Sequence, residues 1–401
     1  MNDQTLPTLV LKRGEDRRLR AGHAWVFSNE VDVTRTPLTD FSPGAEVSIL
    51  DASGRSLGSG YVNPGTLIAA RLVDRGGRAL DAKFFAQRIE TALALRERLY
   101  PGAPYYRLVF GESDGLPGLV LDRYGDVLVG QTMTAGMERL RPEIATAVQR
   151  VLAPTALVWK NDGGARALEG LPQMVEVAFG RIDGPVPVHE GGLAFEVDVL
   201  AGQKTGWFYD QHANRDLLAP WVRDGARVLD LFSYVGAWGL RALDMGASHA
   251  TCVDASASAA EAIARNAARN SMDERVEVIC ADAFEFLRQA RVERRHWDVV
   301  IVDPPAFIKR RKDLRQGTLA YRRINTMAMQ VLEPGGILVS CSCSHHMARD
   351  ALLGAINGAA RHLDRQVQVL QQLHQGPDHP VQAAIAETDY LKGFLCRVLP
   401  G

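Results

Sequence analysis

Arg227-Val228-Leu229-Asp230-Leu231-Phe232-Ser233-Tyr234-Val235-Gly236 is the stretch that decides the fold. Its apolar run reads as a buried strand over residues 227–232, and a glycine then opens a helix over 237–245. Downstream the alternation repeats. Strands are expected at 250–254, 276–280, 299–302 and 337–341, and helices at 257–270, 283–289, 316–332 and 349–362. Such βα alternation implies a mostly parallel, doubly wound α/β sheet of the Rossmann-like kind. Residues 367–373 and 390–398 have no helix between them and read as a terminal antiparallel pair.

Upstream, residues 9–80 show short apolar runs broken by Gly, Pro and Asp, the pattern of a small all-β module. This module carries Lys12, Arg13, Arg17, Arg18, Arg20 and His23, with Trp25 and Phe27 directly after. Basic residues beside aromatics suit a nucleic-acid face, and a solvated edge with one core tryptophan reads equally well. A helix over 81–99, strands at 106–110, 118–122, 127–132 and 156–159, and a helix over 139–152 then make an α+β unit without evident chemistry. Residues 186–192 read as a linker or the entry to a hairpin. Three domains are therefore expected: 1–80, 81–185 and 186–401.

The chain has 401 residues, 46% hydrophobic and 23% charged, with a net charge of −1, so any affinity for nucleic acid must come from local charge. Five cysteines without a paired framework fit a reducing cytoplasm. Cys252, Cys280 and Cys396 are expected in the core. No apolar stretch reads as a signal peptide or membrane helix, and no metal-ligand spacing is present.

In an open α/β sheet, ligands bind beyond the carboxyl ends of the strands. There the sequence puts Asp230, Asp254, Asp282 and Asp303, the last in Asp303-Pro304-Pro305-Ala306-Phe307. Gly236 and Gly239 do not have the spacing of a dinucleotide fingerprint, and Asp230 would repel a diphosphate. A cationic, phosphate-free ligand with an amino-acid tail suits the pocket, and S-adenosylmethionine (SAM) is one. Asp254 is placed for ribose hydroxyls and Asp282 for an adenine amino group, with Phe284 beside the ring. Any one of these acids could equally be a helix N-cap.

The run from Gly202-Gln203-Lys204-Thr205-Gly206-Trp207-Phe208-Tyr209-Asp210-Gln211 to Arg215 is similar to the entry motif of bacterial large-subunit ribosomal RNA cytosine-C5 methyltransferases. Residues 11–28 resemble that family's N-terminal PUA domain. Asp378-His379-Pro380-Val381 and Tyr390-Leu391-Lys392-Gly393-Phe394 resemble its C-terminus, so the likeness covers essentially the whole chain. One departure is Gly236-Ala237-Trp238, where a second glycine is common. The resemblance implies a class I SAM-dependent enzyme that forms 5-methylcytosine in large-subunit ribosomal RNA. Implied at the cofactor are Lys204, Thr205, Phe208, Asp210, Gln211, Arg215, Asp230, Phe232, Gly236, Asp254, Ala255, Asp282, Ala283 and Asp303.

Within Ser340-Cys341-Ser342-Cys343-Ser344, strand alternation puts both thiols on one face, so spacing does not choose between them. The resemblance chooses Cys343 as the nucleophile, with Asp303 holding the base. Ala306 stands where some RNA C5 methyltransferases carry a second cysteine, which implies a one-cysteine mechanism. His345 and His346 read as helix-start surface. Lys309, Arg310, Arg311 and Lys312, followed by Arg315, Arg322 and Arg323, are expected to grip phosphates, together with Lys12, Arg13, Arg17 and Arg18. A guanine N-methyltransferase needs no thiol, and a non-catalytic ribosome-assembly factor needs no nucleophile. Dimerisation is left open by the sequence.

Overall fold

The computed structural model describes residues 6–401; the first five residues, part of the amino-terminal stretch read above for a leader, lie outside it. The chain forms two compact units. The first runs through Val186 and also takes residues 198–209 and 377–388; the second holds residues 187–197, 210–376 and 389–401.

The first unit contains two five-stranded sheets. One is built from β1 (Thr8–Val10), β2 (Trp25–Phe27), β3 (Ala45–Leu50), β4 (Ser56–Val62) and β5 (Ile68–Asp74), in the order β1-β3-β4-β5-β2, with the short helix α1 (Arg17–Arg20). Alternation along β3 sends Val47 and Ile49 into a core with Leu9, Leu11 and Val26. The other contains β6 (Tyr105–Phe110), β7 (Leu119–Tyr124), β8 (Val127–Thr132), β9 (Ala156–Asn161) and β10 (Met174–Phe179), in the order β10-β9-β8-β7-β6. Helices α2 (Ala82–Leu99), α3 (Ala135–Arg139) and α4 (Arg141–Leu152) accompany it. Asp81 starts α2 by accepting from the Phe84 amide at 2.8 Å.

The single helix expected over 139–152 breaks at Leu140, because Pro142 lacks an amide and seats best in the first turn of a new helix. Strand β10 is an addition to the expected elements. It is an edge strand whose Val175 and Val177 stay exposed, so it carries no continuous apolar run.

Tyr61 of β4 joins the two sheets. Its hydroxyl donates to the Pro117 carbonyl at 2.7 Å, and its ring lies against α3, where a Cβ on Gly136 would fall 2.0 Å from Cγ. Glu169 accepts from Asn63 at 2.8 Å and pairs with Arg71 at 3.0 Å. The returning segment 377–388 adds Asp378, whose carboxylate accepts from the Arg107 amide at 2.9 Å. Its carbonyl accepts from fully buried Arg96, which also pairs with Asp114 at 2.6 Å. A buried guanidinium is tolerable only with its donors so satisfied.

The second unit opens with the hairpin β11 (Val186–Glu190) and β12 (Leu193–Val197), then α5 (His212–Asp216). The doubly wound part follows as β13 (Arg227–Leu231), α6 (Ala237–Asp244), β14 (His249–Asp254), α7 (Ala257–Arg269), β15 (Val276–Cys280) and α8 (Ala283–Val292). It continues with β16 (Trp297–Val302), α9 (Leu314–Gln330), β17 (Leu332–Ser342), α10 (Arg349–His362), β18 (Arg365–Leu373) and β19 (Lys392–Pro400). The seven strands run β15-β14-β13-β16-β17-β19-β18; the first five are parallel, and β19 is antiparallel to both neighbours. This is the α/β sheet and the terminal antiparallel pair read from the sequence. Val302 lies opposite Ser340, so Asp303 and the two cysteines emerge from adjacent strand ends. Cys252 and Cys396 are buried, but Cys280, expected in the core, is exposed at the tip of the outermost strand. Among the described residues no helix is long and apolar enough to cross a membrane.

Gly136→Ala should lower the stability of the chain by roughly 1–3 kcal/mol, read as a lower urea midpoint, because the new methyl has to displace the Tyr61 ring. An unchanged midpoint would mean that α3 does not sit on that ring.

Candidate active site

At the end of β13, Asp230 is fully buried, and its Oδ2 accepts from the Gly239 amide of α6 at 3.0 Å. Only glycine permits this approach, since a Cβ at position 239 would fall 2.5 Å from the Cys252 sulfur. Oδ1 of Asp230 makes no hydrogen bond among the described residues. Burial pushes its pKa up to about 7, against the Gly239 amide, and the negative charge of Asp303 and Asp254 adds to the rise. The following loop carries Phe232 and Tyr234 in the left-handed region, at φ 64° and 53°, before Gly236 at φ 85°. Hydrogen bonds hold it there: Ser233 Oγ donates to the Asp230 carbonyl at 2.6 Å and accepts from the Val253 amide at 3.0 Å.

Asp254, at the end of β14, accepts from the Tyr234 amide at 2.9 Å through Oδ2 and from the Ser256 amide through Oδ1. It ties the β13 loop to the start of α7. Asp282 is exposed and caps α8, accepting from the amides of Phe284 at 2.9 Å and Glu285 at 3.1 Å through Oδ1. The capping reading of this acid is therefore realised, and a carboxylate can still accept through its second oxygen. Ala255 is exposed and Ala283 buried beside these acids.

Asp303 follows β16. Its Oδ2 accepts from Gln211 Nε2 at 3.0 Å and from the Trp238 indole at 3.2 Å. Asn214 holds Gln211 in turn, donating to its Oε1 at 2.7 Å. Arg215 is buried against Glu190, paired through both oxygens at 2.5 and 2.7 Å. Burial works to lower the Arg215 pKa, but Glu190, Asp210 and Asp303 outweigh it and raise the value. Asp210 accepts from the Tyr390 hydroxyl at 2.5 Å. The structure thus brings Asp210, Gln211, Arg215, Asp230, Phe232, Gly236, Asp254 and Asp303 together in the second unit. Lys204, Thr205 and Phe208 belong to the first unit. There the Thr205 hydroxyl donates to Asp122 at 2.5 Å, and the Lys204 ammonium lies 4.3 Å from the Phe208 ring centre.

Both serines around Cys343 are buried and occupied. Ser342 Oγ donates to the Tyr321 hydroxyl at 2.8 Å; Ser344 Oγ lies 3.0 Å from the same hydroxyl and accepts from the Ile308 amide at 3.3 Å. These bonds lock the exit of β17 to α9 and to the turn after Pro305. Cys341 is fully buried, and burial drives its thiol well above the usual range, with Asp303 adding to the rise. Cys343 is half-buried. His345 and His346 are exposed, as expected for helix-start surface.

Among the residues expected to meet RNA, Arg13, Arg17, Lys309, Arg311 and Lys312 are exposed. Arg310 is also exposed and reaches Asp313 at 3.2 Å. Lys12 donates to the Asn29 carbonyl, and Arg18 spends its guanidinium on Glu30 at 2.7 and 2.9 Å. Sequence reasoning missed Trp238, Tyr321, Tyr390 and Lys392 as members of this site. Lys392 carried a usable signal, since it is a lysine at the entry to a buried apolar run, Phe394-Leu395-Cys396.

Residues 9–75 match a family described as a PUA-like domain, and residues 125–395 match the S-adenosylmethionine-dependent methyltransferase family. A Shewanella denitrificans protein named ribosomal RNA large subunit methyltransferase I is 38% identical over 97% of this chain and 99% of its own. A Klebsiella pneumoniae protein of the same name is 36% identical over the full length of both. Among solved structures, a chain described as a methyltransferase and complexed with SAH matches at TM-score 0.84 and 20% identity, covering 98% of this chain and 100% of that one. A Streptococcus mutans chain described as a SAM-dependent methyltransferase matches at 0.82 and 20% identity, with the same coverage. The chain is a member of the ribosomal RNA large subunit methyltransferase I family, a SAM-dependent methyltransferase with an N-terminal PUA-like domain.

Proposed function

We propose that the protein methylates carbon 5 of a cytosine in large-subunit ribosomal RNA, through a covalent bond between Cys343 and carbon 6 of the base. The observation that carries this reading is the contrast between the two thiols: Cys341 is sealed and hard to ionise, while Cys343 is half-open just past the end of β17, the strand that pairs with β16, which Asp303 follows. The names of the full-length relatives support ribosomal RNA as the substrate. A guanine N-methyltransferase would leave the Cys343 thiol without a task.

The cofactor's fit is supported by the second oxygen of Asp230, a buried acceptor suited to a cationic donor. When bound, SAM supplies an electrophilic methyl group. Asp230, Gly236 and Gln211 would hold its methionine end, Asp254 and Asp282 its ribose and adenine. Carbon 5 of cytosine is a poor nucleophile. Addition of the Cys343 thiolate at C6 makes C5 enamine-like, so that it takes the methyl group; loss of the C5 proton then expels the thiolate. Asp303, its carboxylate fixed by Gln211 and Trp238, would hold the N3–N4 edge of the base and stabilise the charge developing there. Reaching C6 requires an unstacked base, at a few kcal/mol, which phosphate binding at residues 309–312 would offset.

With large-subunit RNA and methyl-labelled SAM, nucleoside digestion should yield labelled 5-methylcytidine from the wild type and none from Cys343→Ala, which still binds SAM. Labelled methylguanosine would instead establish the N-methyltransferase reading. Replacing Lys309, Arg310, Arg311 and Lys312 by serine should flatten the salt dependence of RNA binding, by about 0.7 in log–log slope for each phosphate the protein no longer neutralises. The native pKa of Asp230 lies above its unfolded value, so its favourable contribution is complete below about pH 4 and is lost as pH rises through about 7. Asp230→Asn should therefore gain on the wild type between pH 5 and pH 8 by on the order of 2–4 kcal/mol in chemical denaturation. Saturating SAM should narrow that gap.

A further inference from the structure

Lys392 opens β19 opposite Ser342, and its ammonium donates to the carbonyls of Ser344 at 2.8 Å and Tyr390 at 2.7 Å. The strand register and the first of these bonds bracket Cys343 on both sides. The side chain is buried, and among the described residues it forms no ion pair with a carboxylate. A buried cation held only by neutral carbonyls is costly unless an anion comes near it. Two carbonyls take two of its three donors. We propose that Lys392 is the positioning residue that ionises Cys343 and keeps it as a thiolate.

This inference rests on the role of Cys343 proposed above and deepens it. Lys392 keeps its three protons throughout: the S–H bond of half-buried Cys343 breaks with its proton passing to solvent water, and the ammonium faces the thiolate that remains. The sulfur electron pair makes the bond to C6 and returns to sulfur on elimination, with Lys392 again the counter-ion. Burial holds the Lys392 pKa below its usual value; Asp389 and Cys343 work against that, and Arg349 adds to it. The other titratable groups at these strand ends are Tyr321, Cys341, Asp303 and His345; Tyr321 and Cys341 each feel the charge of Cys343. Lys392 is the cation among them that is tied to the chain beside the thiol.

The test is the pH profile of iodoacetamide alkylation at Cys343 in the full-length protein without RNA, read on the Cys343 peptide by mass spectrometry in a Cys280→Ser background. The wild type should titrate below the ordinary thiol value of about 8.5. Lys392→Gln, which keeps donors but no charge, should raise the midpoint by about one unit and slow alkylation at pH 7 about tenfold. Lys392→Arg should keep the low midpoint. If Lys392→Gln titrates with the wild type, or Lys392→Arg moves as far as Lys392→Gln, the assignment is wrong. SAM binding by each variant reports that the pocket is folded; should Lys392→Gln fail to bind, the comparison of Lys392→Arg with wild type decides by the same criterion of an unchanged midpoint. No RNA chemistry enters this readout, so a failure to form 5-methylcytidine and a failure of Lys392 to act on the thiol are separate results.

Discussion

A carboxylate buried at the centre of a sheet has to be neutralised, paired or hydrogen-bonded, and Asp230 meets that demand only in part. One oxygen is held by the Gly239 amide, which requires α6 to lie hard against β13 and β14; the other has no hydrogen-bond partner among the described residues. The loop between them is driven into left-handed turns at Phe232 and Tyr234 and is pinned to Asp254. Asp303, on the adjacent strand, adds its own charge to the problem. The pocket is thus an arrangement of negative charge under-supplied with donors, and a cationic ligand is what such a pocket can hold tightly.

Much of this was legible in the chain. Parallel strands buried on both faces must be continuous apolar runs, so residues 227–232 and 299–302 declared themselves, and an acid after such a run falls at the ligand edge. Asp81 marked the start of α2 because an N-cap acts through local chemistry. Features that depend on long-range packing were not legible. Gln211 and Trp238 meet Asp303 from 92 and 65 residues away, and no local pattern announces such meetings. The exposure of Cys280 follows from β15 being the outermost strand, a matter of sheet order that its apolar neighbours do not encode.

The Ser-Cys-Ser sequence shows why a motif can be conspicuous for reasons other than its central residue. Tyr321 reads both serine hydroxyls at once, and Ser344 also holds the amide of Ile308. The thiol between them is therefore fixed relative to the Asp-Pro-Pro turn by the bonds of its two neighbours. Pro304 and Pro305 stiffen one side of that connection and the aromatic packing of Phe307 on Tyr321, at 4.8 Å between ring centres, stiffens the other. Side chains on neighbouring strand ends are in this way spaced by backbone, which moves less than side chains do.

The chain does not finish its first unit when it leaves it. Segment 377–388 supplies Asp378 to Arg96 and Arg107, so a core begun in the first hundred residues is closed by a piece made near the end. During synthesis the buried guanidinium of Arg96 must wait for that partner while nearly two hundred further residues are added after Val186, on the order of 10–40 s at usual elongation rates. Until then Arg96 has Asp114 and the Arg107 carbonyl, but its Nη2 and the Arg107 amide lack the acceptors that Asp378 brings. The first unit is therefore completed only by a segment made near the end of synthesis, and a chain released short of residue 388 lacks pieces of both units.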